Sequence, residues 1–250
     1  FYPNMDLAAH VIGFTGVDSH GLEGLEYFYE NELSGKTLGA DAVEGKNLVL
    51  TIDKGLQHTL EYELQRGANQ VGAKGAVGIV MDADSGDIWA MASYPTYNPN
   101  DFKNSKPESR RNRVVTDAFE PGSTIKTILI SGAIESGAIK PNSKFYCENG
   151  KMQIGDRWVK EYSEDHGHGW LNVEDVIKYS SNIGATKIGF KFGKENLFKW
   201  YLKQGIASKT EIDLPGEAVG SLSKPSTWSE IQFSNISFGQ GIAVTALQLA

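Results

Sequence analysis

Residues 120–134 read Glu-Pro-Gly-Ser-Thr-Ile-Lys-Thr-Ile-Leu-Ile-Ser-Gly-Ala-Ile. Pro121 and Gly122 interrupt regular structure before this point, because proline lacks a backbone donor and glycine favours turns. The residues that follow are largely apolar and recur mostly at the spacing of one helix face: Ile125, Ile128, Leu129 and Ile134. The stretch therefore predicts a turn that leads into the first turn of a helix.

Ser123 and Lys126 are three positions apart, which on a helix places both side chains on one face and within reach of each other. A serine hydroxyl becomes a good nucleophile when a nearby base takes its proton. Lysine can be that base if burial among apolar side chains lowers its pKa. The helix N-terminus would stabilise the oxyanion of an acyl-transfer reaction. The alternative is that Ser123 is only a helix N-cap, since Ser-x-x-Lys is a short and frequent pattern.

A second polar motif, Ser180-Ser181-Asn182, lies between two predicted helical segments. A hydroxyl and an amide at a helix junction can point together into a cleft. Ser180 is therefore a candidate proton relay to a leaving group, and Asn182 a candidate for holding a substrate carbonyl or Lys126. The alternative is a polar helix end with no role in chemistry.

The composition is that of an ordinary globular protein. The 250 residues are 40% hydrophobic and 22% charged, and the formal net charge of −7 argues against binding nucleic acid through its phosphates. The single cysteine, Cys147, excludes an internal disulfide and is interpreted as structural. His166 and His168 lie among glycines with no other ligand at metal-binding spacing, so we predict neither a metal nor a cofactor.

Periodicity and turn signals predict further elements along the chain. An apolar strand is expected at 7–16, an amphipathic helix at 21–33, a strand at 47–53 and a helix at 54–71. A hairpin is expected from strands at 76–81 and 88–92, followed by a polar, locally basic loop from 93 to 113. Helices are then predicted from an Asn172 N-cap, over 183–190 and over 196–205, a turn at 237–241 and the start of a helix from 243.

The two motifs together resemble those of penicillin-binding proteins, which carry Ser-x-x-Lys, a Ser-x-Asn-type motif and Lys-Thr-Gly. The first falls on Ser123 and Lys126 and the second on Ser180 and Asn182. The resemblance is to the class B, division-type group and covers nearly the whole chain. Further segments that carry it lie at 2–4, 10–16, 21–26, 120–126 and 237–241.

This resemblance implies a mixed α/β transpeptidase domain at 46–250, with helices packed on an antiparallel sheet, and the end of a non-catalytic pedestal region at 1–45. It implies a serine acyl-enzyme that cross-links peptidoglycan stem peptides at D-Ala-D-Ala and that β-lactams inhibit. Ser123 would be the nucleophile, Lys126 the base, Ser180 the relay and Asn182 a positioning group. Ser123, Ser180, Asn182, Gly239 and Gln240 would contact the substrate.

The resemblance also implies a setting for the whole protein. A single membrane anchor outside this sequence would hold the catalytic domain in the extracytoplasmic space. The partners would be membrane proteins of division or elongation, including a glycosyltransferase.

One departure from the family pattern is clear, because neither Lys-Thr-Gly nor Lys-Ser-Gly occurs in the sequence. We therefore expect a domain truncated before that motif, inactive as a fragment, with the remainder missing or carried by a second chain. Three alternatives stay open within the same fold: a β-lactam sensor or inactive scaffold, a D,D-carboxypeptidase, and a β-lactamase.

Overall fold

A computed structural model describes residues 1–38, 41–162 and 167–250. Twelve α-helices lie in these ranges: α1 Ala9–Ile12, α2 Gly24–Phe28, α3 Glu30–Leu33, α4 Lys54–Val71, α5 Pro107–Arg110, α6 Arg113–Thr116, α7 Ile125–Glu135, α8 Val173–Lys178, α9 Asn182–Phe192, α10 Lys194–Lys203, α11 Glu230–Ser237 and α12 Ala246–Leu249. The strands there are β1 Phe14–Thr15, β2 Gly21–Glu23, β3 Lys36–Leu38, β4 Asp41–Val43, β5 Ala76–Met81, β6 Ile88–Tyr94, β7 Ala118–Phe119, β8 Lys144–Tyr146, β9 Lys151–Ile154, β10 Arg157–Lys160, β11 Trp170–Asn172 and β12 Val244–Thr245.

The strands pair as antiparallel two-stranded ladders within the described residues: β1 with β2, β3 with β4, β5 with β6, β7 with β12, β8 with β11, and β9 with β10. The β5–β6 hairpin is the longest, with Ala76 opposite Tyr94 and Val80 opposite Ala90. Its predicted strands are confirmed. The mixture of helices and antiparallel strands matches the α/β class expected from the sequence.

Helix α4 covers this hairpin and confirms the prediction for 54–71. Asp53 caps it by accepting a hydrogen bond from the Leu56 N–H at 2.8 Å. The fully buried Gln57 joins helix to strand, since its amide donates to the Met91 carbonyl and accepts from the Met91 N–H, both at 2.8 Å. Among the described residues no third strand pairs with β6, so this contact satisfies backbone groups of Met91 that would otherwise lack a partner.

The main hydrophobic core surrounds α7, with α9, α10 and α11 packed beside it. Ile125 and Leu129 of α7 are fully buried, as the apolar spacing predicted. Gly132 lets α10 approach closely, because a Cβ atom at that position would lie 2.6 Å from the Trp200 ring. The Trp200 indole donates to the Ile128 carbonyl at 2.9 Å, which ties the two helices together. Helix α7, which directly follows Ser123 and Thr124, is thus held rigidly from several sides.

Three predicted elements differ from the structure. The apolar run at 7–16 is not one strand but α1 followed by β1, because the backbone turns at Gly13, where φ is +80°. The segment 21–33 is not one helix but β2, α2 and α3. Residues 47–53 form no strand, since the segment meets β6 only through single contacts such as the Asp53 N–H to the Trp89 carbonyl at 2.8 Å.

The helices after residue 172 agree more closely with those predicted from the sequence. Asn172 caps α8 by accepting from the Asp175 N–H at 2.8 Å, as predicted. The helices expected over 183–190 and 196–205 correspond to α9 and α10. The sequence did not predict α11, which precedes the expected turn at 237–241. Helix α12 begins at Ala246, directly after the short strand β12, rather than at 243.

The N-terminal segment packs directly on the remainder of the chain. A second apolar cluster joins Val11 and Leu25 to Met91, Val115 and Leu247. A domain boundary near residue 45 stays a prediction. No helix within the described ranges has both the length and the apolar character needed to cross a bilayer.

Candidate active site

Ser123 and Lys126 face each other at the start of α7. Ser123 lies in a short 3₁₀ turn, Gly122–Thr124, that runs straight into the α-helix, as the sequence predicted. Lys126 Nζ is 3.1 Å from Ser123 Oγ. The Ser123 side chain is exposed, whereas Lys126 is only 2% exposed. A hydroxyl open to a ligand is therefore paired with an amine shielded from water.

The second motif completes the surroundings of this amine. Lys126 Nζ lies 2.5 Å from the Ser180 carbonyl oxygen, 3.1 Å from Ser180 Oγ and 2.8 Å from Asn182 Oδ1. Asn182 Nδ2 donates to the Lys160 carbonyl at 3.0 Å, and this contact fixes which end of the amide faces the lysine. The structure thus brings together all four residues that the sequence nominated for catalysis.

These partners determine where the lone pair of a neutral Lys126 can point. A neutral amine has two N–H groups, and the Ser180 carbonyl and Asn182 Oδ1 are oxygens that only accept. If both N–H groups bond to them, the lone pair remains for a hydroxyl, and Ser123 Oγ and Ser180 Oγ are both 3.1 Å away. The geometry therefore suits Lys126 to take a proton from either serine.

The charge state of Lys126 results from two opposed effects. Burial lowers the pKa of Lys126 to about 8, because the charged ammonium loses its hydration. The nearby carboxylate of Glu161 acts in the opposite direction and raises that pKa, since it attracts the ammonium form. Burial dominates, so the amine is far easier to deprotonate than an exposed lysine.

The junction that carries the second motif has an unusual backbone. Helix α8 ends just before it, where the Ser181 N–H donates to the Val176 carbonyl at 2.9 Å. Ser180 then adopts φ of +53°, a left-handed conformation that residues with a side chain seldom occupy. This turn points both the carbonyl and the hydroxyl of Ser180 at Lys126. Such strained positions concentrate at functional sites.

A glycine turn supports the Ser123 loop from below. The Gly122 N–H donates to the Gly239 carbonyl at 3.1 Å, and the Gly241 N–H donates to Glu120 Oε1 at 2.8 Å. Gly239 has φ of +91°, and a Cβ atom there would lie 2.0 Å from the Gly122 carbonyl oxygen. Gly239 is buried beneath the turn, whereas Gln240 is exposed and lines the cavity next to Ser123. Substrate contact by either residue stays a prediction.

An open cavity of about 310 Å³ lies over this constellation. It is lined by Gly122, Ser123, Glu161, Tyr162, His168, Tyr179, Ser180, Asn182, Phe238 and Gln240. Sequence reasoning did not assign Glu161, Tyr162, Tyr179 or Phe238 to the site, because no motif marks these side chains as lining a cleft. No cluster of metal-ligating side chains occurs among the residues that the structure describes. His166, one of the two histidines considered as ligands, lies outside them.

A model of the penicillin-binding protein transpeptidase domain matches residues 76–250, a range that includes both motifs. The chain belongs to this family. It is 34% identical to peptidoglycan D,D-transpeptidase FtsI of Escherichia coli K12 over 100% of the chain and 45% of that protein. It is also 30% identical to stage V sporulation protein D of Bacillus subtilis, over 99% of the chain and 41% of that protein. The resemblance to class B, division-type penicillin-binding proteins is confirmed.

Solved structures agree with the family assignment. Penicillin-binding protein 3 of Mycobacterium tuberculosis superposes on the whole chain with a TM-score of 0.92 and 32% identity, and the match covers 56% of that structure. The same protein in complex with aztreonam gives a TM-score of 0.91. The predicted transpeptidase fold is therefore confirmed. The chain spans about half the length of the relatives that it matches.

Proposed function

We propose that this chain is the part of a peptidoglycan D,D-transpeptidase that carries the nucleophile, the base and the proton relay. The observation that carries the proposal is the position of a buried amine, Lys126 Nζ, 3.1 Å from both Ser123 Oγ and Ser180 Oγ. A β-lactam would acylate the same serine, because it presents a strained amide to the same nucleophile. The similarity to relatives named D,D-transpeptidases supports this substrate class.

In the first half-reaction Lys126 accepts the Ser123 proton while Ser123 Oγ attacks the carbonyl carbon of the D-Ala-D-Ala peptide bond. Ser123 lies in the first turn, whose backbone N–H groups have no partner within the helix, so its own N–H supplies one oxyanion donor. The proton then passes from the lysine ammonium through the Ser180 hydroxyl to the departing D-Ala nitrogen. The C–N bond breaks and an ester on Ser123 remains.

In the second half-reaction an amine from a neighbouring stem peptide attacks the ester carbonyl. Its proton returns along the same route to Ser123 Oγ as the C–O bond breaks, which restores the free serine and forms the cross-link. Asn182 keeps the lysine oriented throughout, because its amide contacts Nζ on one side and the Lys160 carbonyl on the other.

We further propose that a Lys-Thr-Gly-type strand, absent from the 250 residues, supplies the second oxyanion donor and holds the substrate carboxylate. The whole protein would act in septal wall synthesis from the extracytoplasmic side of the membrane, held there by a single-pass anchor. Its partners would be division or elongation membrane proteins, including a glycosyltransferase. The 250 residues alone should acylate poorly or not at all, and robust labelling of this piece by a fluorescent penicillin would contradict that.

The decisive experiment is mass spectrometry of the full-length protein after penicillin treatment. We expect a covalent adduct on Ser123 that is absent in Ser123→Ala. The control is Ser131→Ala, an exposed serine two turns further along α7, which should still form the adduct. An adduct on another residue would refute the assignment of the nucleophile.

Turnover assays on the same protein distinguish the remaining functions of this fold. A D-Ala-D-Ala thioester consumed with transfer to an amine acceptor supports the transpeptidase. Transfer to water alone would indicate a carboxypeptidase, and rapid release of hydrolysed antibiotic a β-lactamase. A stable penicillin adduct without any thioester turnover would indicate a sensor.

A further inference from the structure

Glu161 lies directly behind the second motif, between that motif and the β9–β10 hairpin. It follows β10 in the chain and its side chain is half-buried. Both carboxylate oxygens are engaged: Ser181 Oγ donates to Oε1 at 2.5 Å, and the Asn182 backbone N–H donates to Oε2 at 2.6 Å. The Glu161 N–H in turn donates to the Gly150 carbonyl at 3.2 Å. The backbone of Glu161 is therefore fixed by the Gly150 carbonyl, and its carboxylate binds two consecutive residues, Ser181 and Asn182.

These two contacts fix the end of α9 that faces Lys126. The Ser181 hydroxyl also accepts the Gly184 N–H at 2.8 Å and so caps the helix while it donates to Glu161. A carboxylate at a helix N-terminus is stabilised by the free N–H groups and the helix dipole. Because Ser180 and Asn182 flank Ser181, any shift of this cap moves the atoms that contact Lys126 Nζ.

We infer that Glu161 is the positioning residue of this site: it clamps Ser181 and Asn182 so that the second motif contacts Lys126 in the arrangement needed for proton transfer. The inference rests on the proposed function of Ser123 and Lys126. Glu161 does not touch the reacting atoms; it acts through the helix cap that it holds.

The charge of Glu161 also affects the pKa of Lys126. In the described part of the chain, the groups within hydrogen-bond reach of Lys126 Nζ belong to Ser123, Ser180 and Asn182, which carry no charge. Among the residues that the structure describes, the titratable side chains lining the cavity are those of Glu161, Tyr162, His168 and Tyr179, and the charge of Glu161 acts on the lysine. Neutralising Glu161 removes an influence that raises the pKa of Lys126, so the amine should lose its proton at lower pH.

The test uses the full-length protein and measures the second-order rate of Ser123 acylation by a fluorescent penicillin from pH 6 to pH 10. Glu161→Gln keeps the size of the side chain but removes the charge and places an NH₂ group against one of the two donors. We expect the maximal rate to fall by about 10- to 100-fold, the loss typical of a small misplacement of catalytic groups. We also expect the midpoint of the pH profile to move to lower pH.

Two further variants separate positioning from general stability. Glu161→Asp keeps the charge with a shorter reach, so it should lower the maximal rate yet leave the midpoint near the wild-type value. It also serves as the test if Glu161→Gln fails to fold. Glu148→Gln is the matched control, because Glu148 also tethers α9, through Lys187 Nζ at 2.5 Å, but contacts neither motif. It should leave both the maximal rate and the midpoint unchanged.

The outcomes distinguish this inference from the proposed function. If the wild type acylates on Ser123 and Glu161→Gln matches it in maximal rate and midpoint, the inference is wrong and the proposed function stands. Equal losses in Glu161→Gln and Glu148→Gln, with an unshifted midpoint, would also overturn it, since a loosened α9 would then explain both. If the wild type does not acylate on Ser123, the proposed function fails first and the inference falls with it.

Discussion

Replacing Lys126 by methionine tests two properties of this amine separately. The acylation rate reports its role as a base, and the free energy of unfolding reports the cost of burying its charge. Methionine is similar in length and apolar, so it fills the space without a charge. The substitution removes the amine that lies 3.1 Å from Ser123 Oγ and is placed to take its proton. General-base catalysis contributes about 10²- to 10⁴-fold. We expect acylation of Ser123 by a penicillin to fall by at least about 100-fold at every pH. Lys199→Met, on an exposed position of α10, should retain the wild-type rate.

The effect on stability follows from the pKa of Lys126, which burial lowers from 10.5 to about 8 in the folded protein. Below pH 8 the lysine is protonated both folded and unfolded, and its burial as an ammonium costs roughly 3 kcal/mol of stability. Between pH 8 and 10.5 the unfolded chain holds more protons than the folded one, so this cost declines as pH rises. Above pH 10.5 it disappears.

The stability of the wild type relative to Lys126→Met should therefore increase as pH rises. Urea unfolding of both proteins from pH 7 to pH 10 should show the difference in unfolding free energy moving in favour of wild type by about 2 to 3 kcal/mol. The hydrogen bonds to Ser180 and Asn182 that the variant loses add a constant to this free-energy difference over the pH range. The change of the difference with pH therefore reports the titration of Lys126 alone. A difference that stays flat with pH would refute the argument that this amine is held in an environment that disfavours its charge.

Three further outcomes follow from other contacts. Asn182→Ala removes the acceptor that orients Lys126 and should lower the acylation rate by about 10- to 100-fold with little change in the melting temperature; a wild-type rate would contradict its positioning role. Gly239→Ala places a methyl group against the Gly122 carbonyl and should cost about 2 to 4 kcal/mol by urea unfolding. Gly137→Ala, also at positive φ but in open space, should cost only about 1 kcal/mol, and equal losses would count against the steric argument. Cys147 is fully buried and burial raises its pKa, so a maleimide should label it slowly until the protein is unfolded; fast labelling of the native protein would show that it is accessible.

Local rules account for the elements that the sequence predicted correctly. The spacing of Ser123 and Lys126 fixes their common face within one helical turn, whatever the helix packs against. The β5–β6 hairpin and helix α4 follow from short-range turn and capping signals such as Asp53. The errors at 7–16, 21–33 and 47–53 come from segments whose apolar pattern fits several structures. At 7–16 the tight turn at Gly13 decides the outcome, and at 47–53 the segment makes only single contacts with β6 rather than a ladder.

The sequence by itself determined which hydroxyl and which amine are neighbours, because that relation depends on three consecutive peptide units. Tertiary structure alone decided that the amine is deprotonated easily, since its pKa reflects the atoms that exclude water from it and the charge of Glu161. It also brought Gly239 under Gly122 and the second motif onto Lys126, contacts between residues more than fifty positions apart. No local pattern encodes such contacts, because they exist only after the helices have packed.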